Sequence, residues 1–371
     1  GDQSNSDTGS SEVNIDRGLK IPLADGTPLH GTLYRPAVGD PVAGARGTEK
    51  RLPTIVTITP YSSQRFDPDA RYFARNNFAF LTVDARGRGD SGGSFVPFSP
   101  GDGLDGRDVV KWISKQPWSD GRVLMRGGSY AGYNQWSTVR HQPKELVSIV
   151  PIASAFPGID FPMNYNVPVT HSIRWLSLTS GVTPQGRMFG DSAFWNRKFR
   201  AYHTSGAAFE TLDHIVGNPN PHFDEWVSHP VQDDYWAARV PTAAQYANLD
   251  LPILTITGYY DGDQPGAMEY YRRHMRHGSE AGKDNHYLLL GPWNHGGTRI
   301  PVQEFGGLRF GDGMMFDAFA LDRDWYRWVL GEGERPAFLL DRVTYYVAGA
   351  DQWKGTFSYG DGTAASSTTL S

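Results

Sequence analysis

The stretch that decides the fold is Arg122-Val123-Leu124-Met125-Arg126-Gly127-Gly128-Ser129-Tyr130-Ala131-Gly132. Its first five residues read as a short buried strand, and a helix-forming run starts only a few residues later, at Tyr130. A serine held in so tight a strand-to-helix turn needs small neighbours for the backbone to pack, and its hydroxyl then projects above the sheet. Free backbone N–H groups and the dipole of the helix start face whatever oxygen binds there. In the usual form of this elbow a glycine stands two residues after the serine; here Ala131 takes that place and Gly132 comes one later. Taken alone, the hexapeptide also fits a glycine-rich helix entry without chemistry.

Outward from the elbow, buried strands alternate with amphipathic helices. Upstream lie strand-like runs at 53–59, largely β-branched, and at 78–83. A helix over about 104–116 follows, apolar at Leu104, Val109, Val110, Trp112 and Ile113 and stopped by Pro117. Downstream come strands at 147–152, 253–257 and 287–290, the last two separated by a helix with Met268, Tyr271 and Met275 on one face. A final helix is expected over about 313–330, with Met315, Phe319, Tyr326 and Val329 in register, ending at Gly331-Glu332-Gly333. This alternation predicts an α/β fold with a mainly parallel sheet covered on both faces. The chain opens with a hairpin, 13–23 and 29–35, around Asp25-Gly26-Thr27, and residues 37–51 read as a surface loop.

Residues 155–250 break the pattern. They hold no buried strand, and Phe161, Tyr165, Trp175, Phe189, Trp195, Phe199 and Tyr202 are scattered among polar residues, as in an inserted, mostly helical cap. The domain reading is therefore a flexible tail at 1–11, a catalytic domain formed by 12–154 and 251–335, and the cap at 155–250. Residues 336–371, strand-like at 342–347 and then rich in Gly, Ser and Thr, read as the start of an incomplete C-terminal β domain.

Composition removes several function classes. The 371 residues carry 35 Lys and Arg against 40 Asp and Glu with no basic block, which disfavours nucleic acid as a partner. There is no Cys, so disulfides, thiolate metal sites and cysteine nucleophiles are excluded. No run approaches the roughly 18 apolar residues of a membrane span. The polar start, Gly1-Asp2-Gln3-Ser4-Asn5-Ser6, suits a mature terminus after a removed export signal, so secretion or a periplasmic location is expected. Gly87-Arg88-Gly89 lacks the Lys-Ser/Thr of a phosphate loop, and no His pair has ligand spacing on a helix, so neither cofactor nor metal is expected. A homo-oligomer is compatible with the chain.

A serine hydroxyl is a poor nucleophile until a base takes its proton, so the elbow calls for a His and an orienting acid beyond later strand ends. Asp261 follows the 253–257 run and His295 follows 287–290, giving the order Ser, Asp, His of α/β-hydrolases. Asp263 is an alternative to Asp261. His286 rivals His295 but begins its strand, at the end of the sheet away from where active sites sit. Tyr61, after the carboxyl end of the 53–59 strand, stands where this fold contributes an oxyanion donor, and a phenol can act as one; a loop tyrosine packing on the surface is the alternative.

Together these residues resemble a known family. Pro60-Tyr61, Asp84-Ala85-Arg86-Gly87-Arg88-Gly89, Gln116-Pro117-Trp118, the elbow, Tyr260-Asp261 and Gly291-Pro292-Trp293-Asn294-His295 are similar to the cocaine esterase, X-Pro dipeptidyl peptidase and α-amino acid ester hydrolase family over about residues 13–350. The resemblance implies an α/β-hydrolase with Ser129 as nucleophile, His295 as general base and Asp261 as its orienter. It also implies an oxyanion hole made by the Tyr61 hydroxyl and the Tyr130 backbone N–H. Such relatives continue into a C-terminal jelly-roll domain, so a separate jelly-roll chain or a missing domain is an expected partner. Ser62, Ser63 and Gln64 stand where α-amino ester hydrolases are expected to carry an acid.

The expected function is a serine hydrolase acting on small ester or amide substrates through an acyl-enzyme on Ser129, with Phe161, Tyr165, Trp175 and Trp293 lining the pocket. An X-Pro dipeptidyl peptidase or a glutaryl acylase is the alternative within the class. A hydrolase-like binding module that has lost catalysis is the alternative outside it.

Overall fold

A computed structural model describes residues 13–37 and 50–359. The 1–11 tail, most of the 37–51 loop and the extreme C-terminus lie outside the described residues. One sheet runs through the molecule in the order β1-β2-β4-β3-β5-β6-β7-β8-β9-β10. These strands are β1 Val13–Pro22, β2 Pro28–Pro36, β3 Leu52–Thr59, β4 Ala79–Asp84, β5 Ser119–Gly128, β6 Leu146–Ile152, β7 Ile253–Gly258, β8 His286–Gly291, β9 Val343–Val347 and β10 Gln352–Thr356. From β4 to β9 every neighbouring pair is parallel, while the edge pairs β1–β2, β2–β4 and β9–β10 are antiparallel.

Strand alternation splits the apolar residues between two cores. Val56, Met125, Ile149 and Ile253 point to one face, against Val109, Val110 and Ile113 of helix α2 (Asp102–Ser114) and Trp136 of α3 (Tyr130–Val139). Their chain neighbours Ile55, Leu124, Val150 and Leu254 point to the other, against Phe73 of α1 (Asp67–Arg75) and the late helix Ala318–Val329 with Trp325 and Tyr326. This is why β3, β4, β7 and β8 are buried along their whole length: both faces are covered. One buried charge also crosses the second core. Arg126 of β5, 3 % exposed, donates from Nε to Asp322 at 2.6 Å and pairs with Asp69, tying the strand before Ser129 to two helices.

Between β6 and β7 the regular structure consists of helices, including α4 (His171–Leu178), and the two-residue strands Met163–Asn164 and Val167–Pro168, joined by loops. Trp195, Phe223, Trp226 and Trp236 of this insertion share one apolar cluster with Phe98 and Tyr130, so its core runs into the rim of the sheet beside the elbow. No helix among the described residues is long and apolar enough to cross a membrane.

Two expectations differ from the structure. The late helix starts at Ala318 and not near 313, because the Asp317 side chain accepts the Ala320 N–H at 3.0 Å and caps it; Met315 is 45 % exposed before it. Val343–Val347, assigned from sequence to a further β domain, pairs in parallel with β8 through Leu288, Leu289 and Leu290. Val343 buries itself beside Leu288 and Leu290, which places residues 343–356 in the central sheet.

Candidate active site

β5 ends at Gly128 and α3 begins at Tyr130, leaving Ser129 alone at the turn with φ 61° and ψ −117°. A non-glycine residue here carries about 1–3 kcal/mol of backbone strain. Ser129 N–H donates to Ile152 O at 2.9 Å, which anchors the turn to β6. The departure from the usual glycine spacing has a direct cause. A Cβ on Gly127 (φ +152°) would lie 2.6 Å from the Ala131 Cβ, so the bare backbone at 127 makes room for that methyl, while Gly132 packs on Ser154. Tyr130 is the first residue of its helix, so its N–H has no partner within it.

β7 and β8 end in register at Gly258 and Gly291. The loops that follow are joined by Tyr259 N–H to Gly291 O at 2.9 Å and Tyr260 N–H to Trp293 O at 3.1 Å. That pairing brings His295 to Asp261: Nδ1 lies 2.8 Å from Asp261 Oδ1 and 3.5 Å from Asp263 Oδ2. The Asp261 side chain is fully buried and also accepts the Asp263 N–H at 2.9 Å. The shorter contact makes Asp261 the partner of the imidazole, and among the described residues none bonds its Nε2. Burial would lower the His295 pKa, but the Asp261 hydrogen bond and the charges of Asp263 and Asp261 outweigh it and hold it above the ordinary histidine value. Nearby, burial and the Asp263 charge push the Asp160 carboxyl well above the usual carboxylate range.

Ser129, Asp261 and His295 thus follow the carboxyl ends of parallel strands β5, β7 and β8 on one rim. Arg299 joins the two halves. Its Nη2 donates to His295 O at 3.2 Å, and its guanidinium lies over Gly128, where an added Cβ would meet Nη1 at 2.7 Å. Neither Arg299 nor Asp160 stood out in the sequence. Asp160 had one signal, an acid set in the apolar run Phe156-Pro157-Gly158-Ile159.

Tyr61 follows β3 on the same rim. Its phenol oxygen accepts the Trp175 indole N–H at 2.9 Å, and Arg65 lies 5.4 Å over its ring. Burial, followed by the Asp263 charge, raises its pKa, so the phenol keeps its proton. Arg88, fully buried, donates to Pro60 O at 2.7 Å and Thr179 O at 2.8 Å, bolting the Tyr61 loop to the insertion. Arg86 pairs with Asp105 and Asp25.

Of the residues assigned to the pocket, Phe161 and Trp175 meet edge to face at 5.4 Å within the cluster around Tyr130. Tyr165 does not join them; it sits in the turn between two short strands and is 59 % exposed. Trp293 is fully buried, stacked on Phe316 at 4.4 Å, with its indole where a Gly291 side chain would be. Two residues before His295, it faces the core and anchors the loop. His286 lies in the core at the opposite end of β8, bonded to Thr255 and His274. Asp261, Asp263 and His295, like His30, Asp84 and Asp90, group three possible metal ligands within 4.8 Å. In both groups the imidazole Nδ1 already has a carboxylate partner, which accounts for the grouping without a cation.

This sheet with its elbow is the α/β-hydrolase fold. The chain belongs to the X-Pro dipeptidyl-peptidase (S15) family, whose model matches residues 25–297. It is 27 % identical over 361 residues to the cocaine esterase of Rhodococcus sp. (strain MB1 Bresler), covering 91 % of this chain and 58 % of that protein. An α-amino acid ester hydrolase superposes with a TM-score of 0.74 at 20 % identity, covering 95 % of this chain and 59 % of its own. An aminopeptidase from a marine sediment archaeon, Thaumarchaeota archaeon, gives 0.70 at 20 % identity over 95 % and 61 %. The chain therefore spans about three fifths of the length of these relatives.

Proposed function

We propose that this protein is a serine hydrolase that cleaves ester or amide bonds through an acyl-enzyme on Ser129. The observation that carries the reading is the 2.8 Å contact between His295 and buried Asp261 on the rim where strained Ser129 stands. His295 Nε2 takes the Ser129 Oγ proton as the oxygen attacks the acyl carbon. The Tyr61 O–H and the Tyr130 backbone N–H receive the negative charge that develops on the carbonyl oxygen. The protonated imidazole, steadied by Asp261, gives its proton to the departing alcohol or amine. Water activated by the same imidazole then releases the acid.

The aromatic cluster of Phe98, Phe161 and Trp175 beside Tyr130 supports an apolar acyl group. A second reading is an acyl group bearing an amine. Asp263, 3.5 Å from His295, supports it, as do the names of the two structural relatives. Turnover of p-nitrophenyl butyrate, a Gly-Pro anilide, a glutaryl amide and an α-amino acid ester, measured side by side, separates esterase, dipeptidyl peptidase, acylase and amino-ester hydrolase. A fluorophosphonate should label wild type and not Ser129→Ala; an unlabelled wild type would leave a non-catalytic binding module.

A further inference from the structure

Trp175 comes from α4 in the insertion, yet it touches both residues to which the oxyanion is assigned. Its indole is 7 % exposed and lies nearly parallel to the Tyr130 ring, with centroids 6.0 Å apart at 8° and Phe98 5.5 Å away. Its N–H, a donor that cannot accept, meets the Tyr61 phenol oxygen at 2.9 Å. Because the phenol accepts there, its own hydrogen is directed elsewhere. A hydroxyl that accepts one hydrogen bond becomes a stronger donor of the next. The indole accordingly works against the burial that raises the Tyr61 pKa.

We propose that Trp175 is a positioning residue for the oxyanion hole: a single indole supplied by the insertion aims the Tyr61 O–H through a hydrogen bond and holds Tyr130 through ring contact. This rests on the function proposed above. The insertion then does more than wall a pocket, because the hole is complete only while α4 is seated on the rim.

Trp175→Phe keeps an aromatic ring and deletes the donor. For one neutral hydrogen bond a fall of about fivefold in kcat is expected, with KM within about twofold because the bond acts on the transition state. In a Tyr61→Phe background the same substitution should cost no further rate. An unchanged kcat in Trp175→Phe, or equal losses in both backgrounds, would overturn the proposal. A second measurement needs no activity. The Trp175 indole N–H resonance, assigned by its disappearance in Trp175→Phe, should move upfield and exchange faster with solvent in Tyr61→Phe, and an unmoved resonance refutes the bond. Failure of the hydrolase reading itself looks different, as wild type without turnover or fluorophosphonate labelling.

Discussion

The methyl of Ala131 occupies the space that a side chain at Gly127 would need, a Cβ there lying 2.6 Å from it. Gly127→Ala should therefore distort the elbow, costing about 1–3 kcal/mol by overpacking and most of the turnover. Ala131→Gly in the same chain should restore part of the stability and not all of it, since position 127 retains a φ of +152°. Chemical denaturation of the single and double variants checks this; a fully stable Gly127→Ala rules out the packing argument.

His295 must be neutral to accept a proton, and its pKa is raised by the Asp261 hydrogen bond and the two nearby carboxylates. Activity should consequently fall as pH drops through a value above the ordinary histidine pKa of about 6.5. Asp263→Asn removes one raising charge and should move that limb to lower pH with kcat on the plateau largely kept. Asp261→Asn should lower kcat by about 10⁴-fold through the wrong imidazole tautomer. Comparable plateau losses in the two variants would mean that both acids orient the base.

Arg126 links β5 to Asp69 and Asp322 from within the core, and burial pushes the Asp322 carboxyl up to about 6 despite the adjacent guanidinium. Removing the cation strands a buried charge, so Arg126→Ala should destabilise by about 3–5 kcal/mol. Asp322→Asn added to it should recover part of that loss, measured as thermal midpoint and denaturant unfolding.

Asp102 accepts from the phenols of Tyr130 at 2.7 Å and Tyr133 at 3.1 Å, and burial pushes its pKa up to about 7. The fold thus favours the protonated carboxyl. A raised acid makes stability decline as pH rises from about 4, where the unfolded chain ionises, to about 7, where the folded chain follows. Asp102→Asn, which still accepts from the phenols, should flatten unfolding free energy across that window; an unaltered slope would show that other groups set it.

Much of this protein was legible because its signals are local. Strands such as 53–59 and 253–257 must be apolar on both faces, and a serine between small residues at a strand end leaves few options. Strand ends chose His295 over His286 and narrowed its acid to Asp261 or Asp263, which the 2.8 Å and 3.5 Å contacts then separate. What escaped depends on partners distant in sequence. Arg299 matters because its guanidinium lies on Gly128, and Trp175 because its nitrogen finds a phenol 114 positions away. Trp293 misled because it stands two residues from His295 in the same loop, and only its packing on Phe316 shows that its ring turns inward. Val343–Val347 misled because a short strand looks alike at the edge of one sheet or at the start of another.

The alternation that sends Leu124 to one core and Met125 to the other also times the approach to Ser129. Losing or gaining one residue within β5 would swap the two layers and turn the hydroxyl through half a revolution, away from its imidazole. Chemistry and folding are in this sense written in the same two-beat metre, and neither can be edited there without rewriting the other.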